Sequence, residues 1–395
     1  MRPLEGVTVV DFSRVLAGPL ATQILADLGA EVIKIERPGG GDESRSFEPR
    51  LPGGESAYFF AFNRGKRSVT LNLRTPRGQE IARGLAARAD VLVENFMPGT
   101  MDKHGLGYEA LEALNPGLIY ISSTGFGQSG PYADRKGYDT VFQALSGIMS
   151  LTGHPDTPPA KVGIPVSDMT SGLWIVISAL TGLMERRNSG RGGHVDLAMM
   201  DVQASLLALA AARIFALDDD PGRTGTAHPG RVPSEAFRCA DGGWLHISGS
   251  DQHWAPLCGV LGLHELAADP ALASNEGRLA QRERVKAELA AAVAGWPRDQ
   301  LAEALRAVDV PAGEVKSARE ALSDPHIDAR RMVGQFDHPT EGRFSALRTP
   351  LRLDETEYPE PGVPPLLGAD TDAVLSGLLG LDEAELARLR EEGTI

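Results

Sequence analysis

The side chain best suited to chemistry in this sequence is a single carboxylate. The stretch GIPVSDMTSG, residues 163–172, contains one ionisable side chain, Asp168, between small and apolar residues. A carboxylate in such a setting either caps the helix that the following residues predict or serves as a nucleophile. The stretch offers it no acid–base partner.

Most other catalytic signatures are absent from the sequence. It has no GxSxG nucleophile elbow, no P-loop, no HExxH motif and no Cys/His cluster at metal-ligand spacing. The two cysteines, Cys239 and Cys258, form no CxxC motif, and we expect them to be buried. We therefore expect neither a metal nor a bound prosthetic group.

Several residues that could hold an anionic ligand follow predicted strands. SRVLAGP, residues 13–19, lies between the first strand and the first helix, where open parallel sheets bind ligands and helix N–H groups face the crevice. Asn95 and Phe96 end another strand and either contact a nucleotide-like ligand or form a buried loop. Basic residues near predicted loop ends are either surface charges or a phosphate-binding cluster: Arg37, Arg74, Lys103 and Lys136.

These residues are positioned by alternating strand and helix patterns. Strand-like runs separated by helical patterns predict βαβ units and a mainly parallel sheet, and hence an α/β fold. The runs are VTVVDF (7–12), EVIKIE (31–36), SVTLNL (68–73), DVLVENF (90–96) and LIYISSTGF (118–126).

The pattern changes at residues 218–232, which are rich in turn formers and indicate a linker. We expect a large Rossmann-like domain from residues 1–217, a small α+β domain from residues 233–330, and a return to the large domain with a helical tail at 331–395. The small domain should begin with a hairpin that turns at Asp241–Gly243. A strand-like region covers residues 333–353.

Composition excludes some classes of partner. The 395 residues carry a formal net charge of −14, which argues against nucleic acid or an anionic membrane as the main partner. No signal-peptide core is visible at the start of the sequence, and no run approaches the roughly 20 apolar residues of a membrane span. We therefore expect a cytoplasmic protein that acts on small molecules.

The order of the motifs resembles the class III coenzyme A transferases. The matching segments include VVDFSRVLAGPLATQILADLGAEVIKIERPGGGD, FNRGKRSVTLNL, ADVLVENFMPGTMDKHGLG, GYDTVFQALSG, VSDMTSG and RGGHVDLAMMD. The resemblance covers nearly the whole chain and is densest over residues 4–201. It implies a Rossmann-like large domain, a smaller domain, and an interlocked homodimer.

The resemblance also implies a mechanism and a set of binding residues. Asp168 matches the family nucleophile, which forms an aspartyl anhydride with the donor acyl group and then an aspartyl–CoA thioester. Coenzyme A enters as acyl-CoA, a substrate and not a prosthetic group. The residues that match the family's CoA contacts, with Arg74 and Lys103 as charge-preserving replacements, are Arg37, Leu71, Arg74, Asn95, Phe96, Lys103, Lys136, Tyr138 and Met199.

The acids exchanged are less well defined by the sequence. Leu16 stands where formyl-CoA transferase has glutamine, and the glycine run of that enzyme is missing. Both departures argue against formyl or oxalyl substrates. Following the family, we take succinyl-CoA as donor and a dicarboxylate as acceptor. The candidate substrate contacts are Arg14, Leu16, Arg45, Arg223 and His228.

Two alternatives remain open at the level of sequence. The 2-methylacyl-CoA racemases share the scaffold but use a histidine in a GHD motif, whereas this chain reads GYD, with Tyr138 at that position. A phenol holds its proton too tightly at neutral pH to serve easily in two-base racemisation. The second alternative is a non-catalytic acyl-CoA-binding protein, against which the retention of Asp168 argues.

Overall fold

The computed structural model describes residues 2–352 and 360–395 and separates into two compact units. The larger unit consists of Met1–Ile148, Val162–Ala212 and Pro325–Ile395. The smaller unit consists of Met149–Lys161 and Arg213–Asp324. The domain boundaries read from the sequence at 217, 232 and 330 remain predictions. Leu353, the end of the predicted strand-like region, lies outside the described residues.

The larger unit is built on a six-stranded sheet. Its strand order is β3-β2-β1-β4-β5-β6, and every neighbouring pair is parallel. This confirms the predicted α/β class and gives the strand order of a dinucleotide-binding Rossmann sheet. The strands are β1 (Thr8–Asp11), β2 (Glu31–Glu36), β3 (Arg67–Thr70), β4 (Val91–Glu94), β5 (Ile119–Thr124) and β6 (Gly193–Ala198).

Nineteen α-helices are described along these two ranges of the chain. In order they are α1 (Ala17–Asp27), α2 (Ala57–Phe62), α3 (Pro76–Ala86), α4 (Thr100–Lys103), α5 (Tyr108–Glu112), α6 (Asp139–Leu145), α7 (Ile148–Leu151), α8 (Val166–Ser189), α9 (Met199–Ser205), α10 (Ala208–Leu217), α11 (Asp251–Leu261), α12 (His264–Ala268), α13 (Asn275–Ala280), α14 (Arg282–Val293), α15 (Arg298–Arg306), α16 (Ala318–Leu322), α17 (Pro325–Ala329), α18 (Thr371–Leu379) and α19 (Glu383–Glu391). Short 3-10 turns cover Glu43–Ser46 and Pro270–Leu272.

Strand side chains alternate between two apolar layers, one on each face of the sheet. In β1, Val9 packs with residues of α1 and α8, whereas Val10 packs with residues of α3, α18 and α19. Both valines are fully buried. The sheet is therefore covered on both faces, and its open edge for ligands is the one at the carboxyl ends of the strands.

The smaller unit has its own antiparallel sheet and its own core. It consists of β7 (Ser234–Arg238), β8 (Trp244–Ser248) and β9 (Ala312–Glu314), with a helical layer that includes α11, α14 and α15. The pairing of β7 with β8 confirms the predicted hairpin. A second hairpin, of β10 (Val333–His338) and β11 (Gly342–Leu347), belongs to the larger unit.

Helix α8 is a long apolar helix of 24 residues. By length and composition it could cross a membrane, as could α9 and α10 if that bent pair were a single span. Core helices meet the same criterion, and α8 packs against α1, α9 and β5 within the larger unit. We therefore describe α8 as a core helix with one exposed face.

Candidate active site

Asp168 lies in the first turn of α8. The helix begins after Pro165, which has no side-chain oxygen to cap it. Further along the same helix, Ile175, Val176 and Ala179 are buried in the apolar layer above the sheet. This packing fixes the helix axis, so that its N-terminal turn presents Asp168 from a rigid element.

Helix α1 approaches the start of α8 very closely. A Cβ atom added at Gly172 would lie 2.9 Å from the carbonyl oxygen of Ala17. Asp168 and Gly172 are four residues apart and share one face of α8. The contact between α1 and α8 therefore lies one helical turn along α8 from Asp168.

The Asp168 carboxylate is half-buried, and among the described residues no hydrogen bond to it is found. Burial, followed by the negative charge of Asp139, raises the pKa of Asp168 to about 7. Burial and the charges of Asp168, Asp42 and Asp139 raise the pKa of Tyr58 to about 12, so its hydroxyl keeps its proton. The site therefore combines one carboxyl group of raised pKa with a neutral phenol, which the sequence analysis missed.

The SRVLAGP turn is held by a buried charge network beneath it. Burial alone would raise the pKa of Asp11, but the ammonium groups of Lys66 and Lys34 lower it to about 2. Lys34 Nζ lies 2.9 Å from a carboxylate oxygen of Asp42. That carboxylate accepts the N–H of Val15, at 3.2 Å from each oxygen. Val15 has φ 71°, a left-handed conformation that is strained for a β-branched residue.

The free backbone donors of this turn are at the start of α1. The N–H groups of Ser13, Arg14 and Val15 donate to the side chains of Asp11, Asn95 and Asp42. Ala17 and Gly18 are in the first helical turn, where the N–H groups have no partner within the helix. These two N–H groups are free to donate to a ligand.

The residues predicted to contact CoA lie at the carboxyl edge of the sheet or near it. Arg37, Leu71 and Asn95 directly follow β2, β3 and β4. Leu71 and Met199 are buried, Asn95 and Phe96 are half-buried, and the others are exposed: Arg37, Arg74, Lys103, Lys136 and Tyr138.

Asn95 has a structural role that its sequence context did not predict. Its amide exchanges two hydrogen bonds with the main chain of Arg14, at 2.9 and 2.8 Å. The Arg14 guanidinium in turn lies 4.7 Å from the centre of the Phe96 ring. The Asn95 side chain thus links the loops after β1 and β4 and stabilises their arrangement at the carboxyl edge of the sheet.

The candidate substrate residues divide into engaged and available groups. Leu16 is buried. Arg45 makes a two-pronged ion pair with Glu36 and lies 3.7 Å from the centre of the Phe59 ring, so its guanidinium is engaged. Arg14 keeps an exposed side chain at the edge of the sheet, where its guanidinium lies over Phe96 and 4.0 Å from a carboxylate oxygen of the equally exposed Glu43.

In the smaller unit, Arg223 donates to the carbonyl groups of His154, Pro155 and Thr157. His228 is exposed, and its Nδ1 accepts the N–H of Gly230. Because Arg223 and Arg45 already make these contacts, neither guanidinium is free to bind a substrate carboxylate.

Within residues 2–352 and 360–395, no group of three His, Cys, Asp or Glu side chains could hold a metal ion.

A polar cavity of about 210 Å³ lies near the carboxyl ends of β4 and β5. Its lining includes Glu94, Tyr108, Ser122 and His194. Burial raises the pKa of Glu94 to about 7, and a Glu94 oxygen accepts the N–H of Phe96 at 2.8 Å. Glu94 therefore stabilises the Asn95–Phe96 loop through this hydrogen bond.

Comparison with known proteins identifies the family of the chain. Residues 4–371 match the model of CoA-transferase family III. The chain is 40% identical over 384 residues to succinate–glutarate CoA-transferase of Agrobacterium fabrum, with 95% of this chain and 96% of that protein aligned. It is 37% identical to formyl-CoA:oxalate CoA-transferase of Streptomyces avermitilis, with both chains fully covered.

A crystal structure of a CAIB/BAIF family protein from Brucella suis superposes with a TM-score of 0.86 at 41% identity, covering 95% of this chain and 99% of that one. The resemblance read from the motifs is confirmed, and the chain belongs to CoA-transferase family III, whose members use CoA thioesters as substrates.

Proposed function

We propose that this enzyme transfers CoA from an acyl-CoA donor to a free dicarboxylic acid, with Asp168 as the nucleophile. The proposal rests on the environment of the Asp168 carboxylate. This group is half-buried on a rigid helix, and among the described residues it accepts no hydrogen bond. A poorly solvated carboxylate is more nucleophilic than one in water, because less solvation must be removed during attack. At neutral pH a large share of it is ionised, since its pKa is about 7.

The first half of the reaction moves CoA onto the enzyme. An Asp168 oxygen attacks the donor thioester carbonyl, the C–S bond breaks, and a mixed anhydride forms with release of the CoA thiolate. The thiolate attacks the Asp168 carbonyl carbon of the anhydride. That attack releases the donor as a free carboxylate and leaves an aspartyl–CoA thioester.

The second half repeats these steps with the acceptor. An acceptor carboxylate oxygen attacks the aspartyl–CoA carbonyl, the thiolate leaves, and a second anhydride forms. The thiolate then attacks the acceptor acyl carbon, which yields the new acyl-CoA and restores the Asp168 carboxylate. One thioester is broken and one is formed, so the exchange needs no ATP.

The N-terminus of α1 supplies the charge stabilisation in this proposal. Each tetrahedral intermediate carries an oxyanion. The N–H groups of Ala17 and Gly18 are the proposed donors, because the first turn of α1 contacts α8 at Gly172, one helical turn from Asp168. Preorganised backbone donors are an effective way to stabilise such charge. The buried Asp42–Lys34 pair, which holds the turn before α1, keeps those donors in place.

CoA is proposed to lie along the carboxyl edge of the sheet. The exposed cations Arg37, Arg74, Lys103 and Lys136 would hold its phosphates. Its adenine and pantetheine would contact the remaining predicted residues: Leu71, Asn95, Phe96, Tyr138 and Met199. Asn95 would take part through its main chain, since its amide is bound to Arg14.

Succinyl-CoA is the proposed donor and a short dicarboxylate the proposed acceptor. The relative from Agrobacterium fabrum carries two dicarboxylates in its name, succinate and glutarate. The Streptomyces avermitilis relative also carries a dicarboxylate, oxalate, but Leu16 and the missing glycine run argue against that acid here. A dicarboxylate needs a cation for its distal group. We propose Arg14, which is exposed at the edge that carries the α1 turn and which a substrate carboxylate would draw away from the solvent-exposed Glu43, 4.0 Å away. A homodimer and a cytoplasmic location complete the proposal.

The test is an exchange assay with hydroxylamine trapping. Purified protein is incubated with succinyl-CoA and a panel of mono- and dicarboxylic acids, and new acyl-CoA species are followed by mass spectrometry. We expect dicarboxylate-dependent exchange and a hydroxamate on Asp168 that Asp168→Ala lacks. Equal activity with bulky monocarboxylates would contradict the proposed acceptor class.

The racemase alternative predicts a different product. Deuterium uptake at the α-carbon of a 2-methylacyl-CoA in D₂O, without any CoA exchange, would favour it. Tyr138, at the position of the racemase histidine, is 80% exposed. A solvent-facing phenol is poorly placed to return a proton within a closed site, which supports the transferase.

A further inference from the structure

The first turn of α8 is capped by a residue from another helix. Pro165 offers no cap, and the Ser167 N–H instead donates to Asp139 Oδ1 at 2.8 Å. The Ser167 hydroxyl donates to the main-chain oxygen of Asp139 at 3.2 Å. The turn that carries Asp168 is therefore fastened to the start of α6, not to its own preceding loop.

Asp139 is itself held by Gln143, one turn further along α6. The Gln143 amide nitrogen donates to Asp139 Oδ2 at 2.7 Å. Its carbonyl oxygen accepts the N–H of Val162 at 2.8 Å, in the segment that leads into α8. Gln143 is fully buried, so both polar ends of its amide are used and neither faces water.

We propose that Gln143 is a positioning residue for the Asp168 nucleophile: it orients the Asp139 carboxylate that caps α8 and anchors the segment before that helix. The inference rests on the proposed function, because it assigns Gln143 to the step in which Asp168 attacks a thioester. Gln143 itself acts only through Asp139 and Val162.

The physical reason is the direction of the Asp139 carboxylate. With the Gln143 donor in place, one Asp139 oxygen faces Gln143 and the other faces the Ser167 N–H. Without that donor, the carboxylate is free to rotate about its Cβ–Cγ bond and to release the α8 turn. A displacement of about 1 Å at a nucleophile can cost about 100-fold in rate.

Four variants test this: Gln143→Met, Gln143→Glu, Asp139→Asn and the double variant Asp139→Asn/Gln143→Glu. Methionine keeps the volume of Gln143 but removes its donor and acceptor. Gln143→Glu places two carboxylates face to face, and Asp139→Asn places two amide nitrogens face to face. The double variant exchanges donor and acceptor: the new amide at position 139 donates to the new carboxylate at position 143, while both helix contacts and the net charge are preserved.

We expect kcat for CoA exchange to fall about 10- to 100-fold in each single variant, with KM for acyl-CoA changed less than about threefold. The double variant should recover to within about fivefold of the wild-type kcat. The initial rate of hydroxylamine-trapped acyl-Asp168 should follow the same order. Gln300→Met, at an exposed position of α15, is the matched control and should resemble the wild type.

Circular dichroism and thermal melts separate loss of positioning from loss of fold. Wild-type kinetics in Gln143→Met, or no recovery in a folded double variant, would overturn the inference alone. If the wild type forms no acyl-Asp168, the proposed function is overturned and the inference with it. Recovery of kcat in the double variant supports the inference, because it restores hydrogen bonds without restoring either original residue.

Discussion

At the scale of single residues, the features that suit Asp168 to attack also disfavour its ionised form. Burial and the Asp139 charge raise its pKa to about 7, and no described donor offsets them. Asp11 shows the opposite outcome, because two lysines hold its pKa at about 2 despite complete burial. The contrast separates a carboxylate kept for structure from one left available for chemistry.

The first prediction concerns the pH dependence of the reaction. Because attack needs the ionised form of Asp168, kcat/KM should fall on the acid side with a midpoint near the pKa of about 7. Asp139→Asn removes a negative charge beside Asp168 and should move that midpoint to lower pH, whatever its effect on kcat. Tyr58 stays protonated throughout this range, since its pKa is about 12. A midpoint near pH 4 in the wild type would contradict the assignment of Asp168.

The second prediction concerns stability. A carboxyl group whose folded pKa lies above its unfolded value destabilises the folded state above the folded pKa, and this cost disappears below the unfolded pKa. For Asp168 these values are about 7 and 3.8, so the cost is present at pH 8 and reduced at pH 5. Asp168→Asn should raise the free energy of unfolding by about 1 to 3 kcal/mol at pH 8 and by less at pH 5. Urea unfolding at both pH values measures the difference, with the exposed Asp156→Asn as control.

At the scale of elements, the site depends on how closely α1 can approach α8. Gly172 permits that approach, because any side chain there would meet the Ala17 carbonyl at 2.9 Å. The Ala17 carbonyl, which such a side chain would displace, belongs to the turn whose N–H groups we propose as oxyanion donors. In the proposed mechanism, packing and catalysis are therefore coupled at one contact.

The third prediction follows from that contact. Gly172→Ala should force α1 and α8 apart, destabilise the protein by about 1 to 3 kcal/mol and lower kcat at least about tenfold. Gly377→Ala is the matched control, since Gly377 is also within a helix and its added Cβ would meet nothing within 4 Å. There the usual preference of helices for alanine should leave stability unchanged or raise it by up to about 1 kcal/mol. Equal effects of the two substitutions on stability and kcat would contradict the coupling.

The elements themselves could be predicted from local patterns. Runs such as EVIKIE and VTVVDF could be assigned to β2 and β1 because they are short and rich in β-branched residues. Asp168 could also be picked out, since it is the one ionisable residue in a small and apolar stretch. Such features depend on residues that are neighbours in the chain.

The connections between the elements could not be predicted in this way. Asn95 binds the main chain of Arg14, 81 positions away, and Ser167 is capped by Asp139, 28 positions away. Arg45 reads as a free loop cation, yet it pairs with Glu36 and stacks on Phe59. Polar contacts of this kind have no periodicity, so single-sequence patterns identify the residues but not their partners.

At the scale of the whole molecule, one face of α8 is left uncovered. Four apolar residues on one side of the helix are 42 to 67% exposed, namely Leu173, Trp174, Ile177 and Met184. They lie opposite the buried Ile175, Val176 and Ala179. An apolar group of this size on a stable protein marks an interaction surface. The proposed homodimer would cover it, and a membrane would be the other apolar environment available to such a helix.

The fourth prediction separates these two environments. In size-exclusion chromatography with light scattering, the wild type should have about twice the 42.0 kDa mass of the chain at micromolar concentration. Trp174→Glu/Ile177→Glu should shift it towards the monomer, because two charges in the centre of an apolar interface cost several kcal/mol when buried without partners. Leu114→Glu, at an isolated residue that is 54% exposed, should leave the mass unchanged. Flotation of the wild type with lipid vesicles, together with a monomeric mass in their absence, would assign the α8 face to a membrane and contradict the dimer.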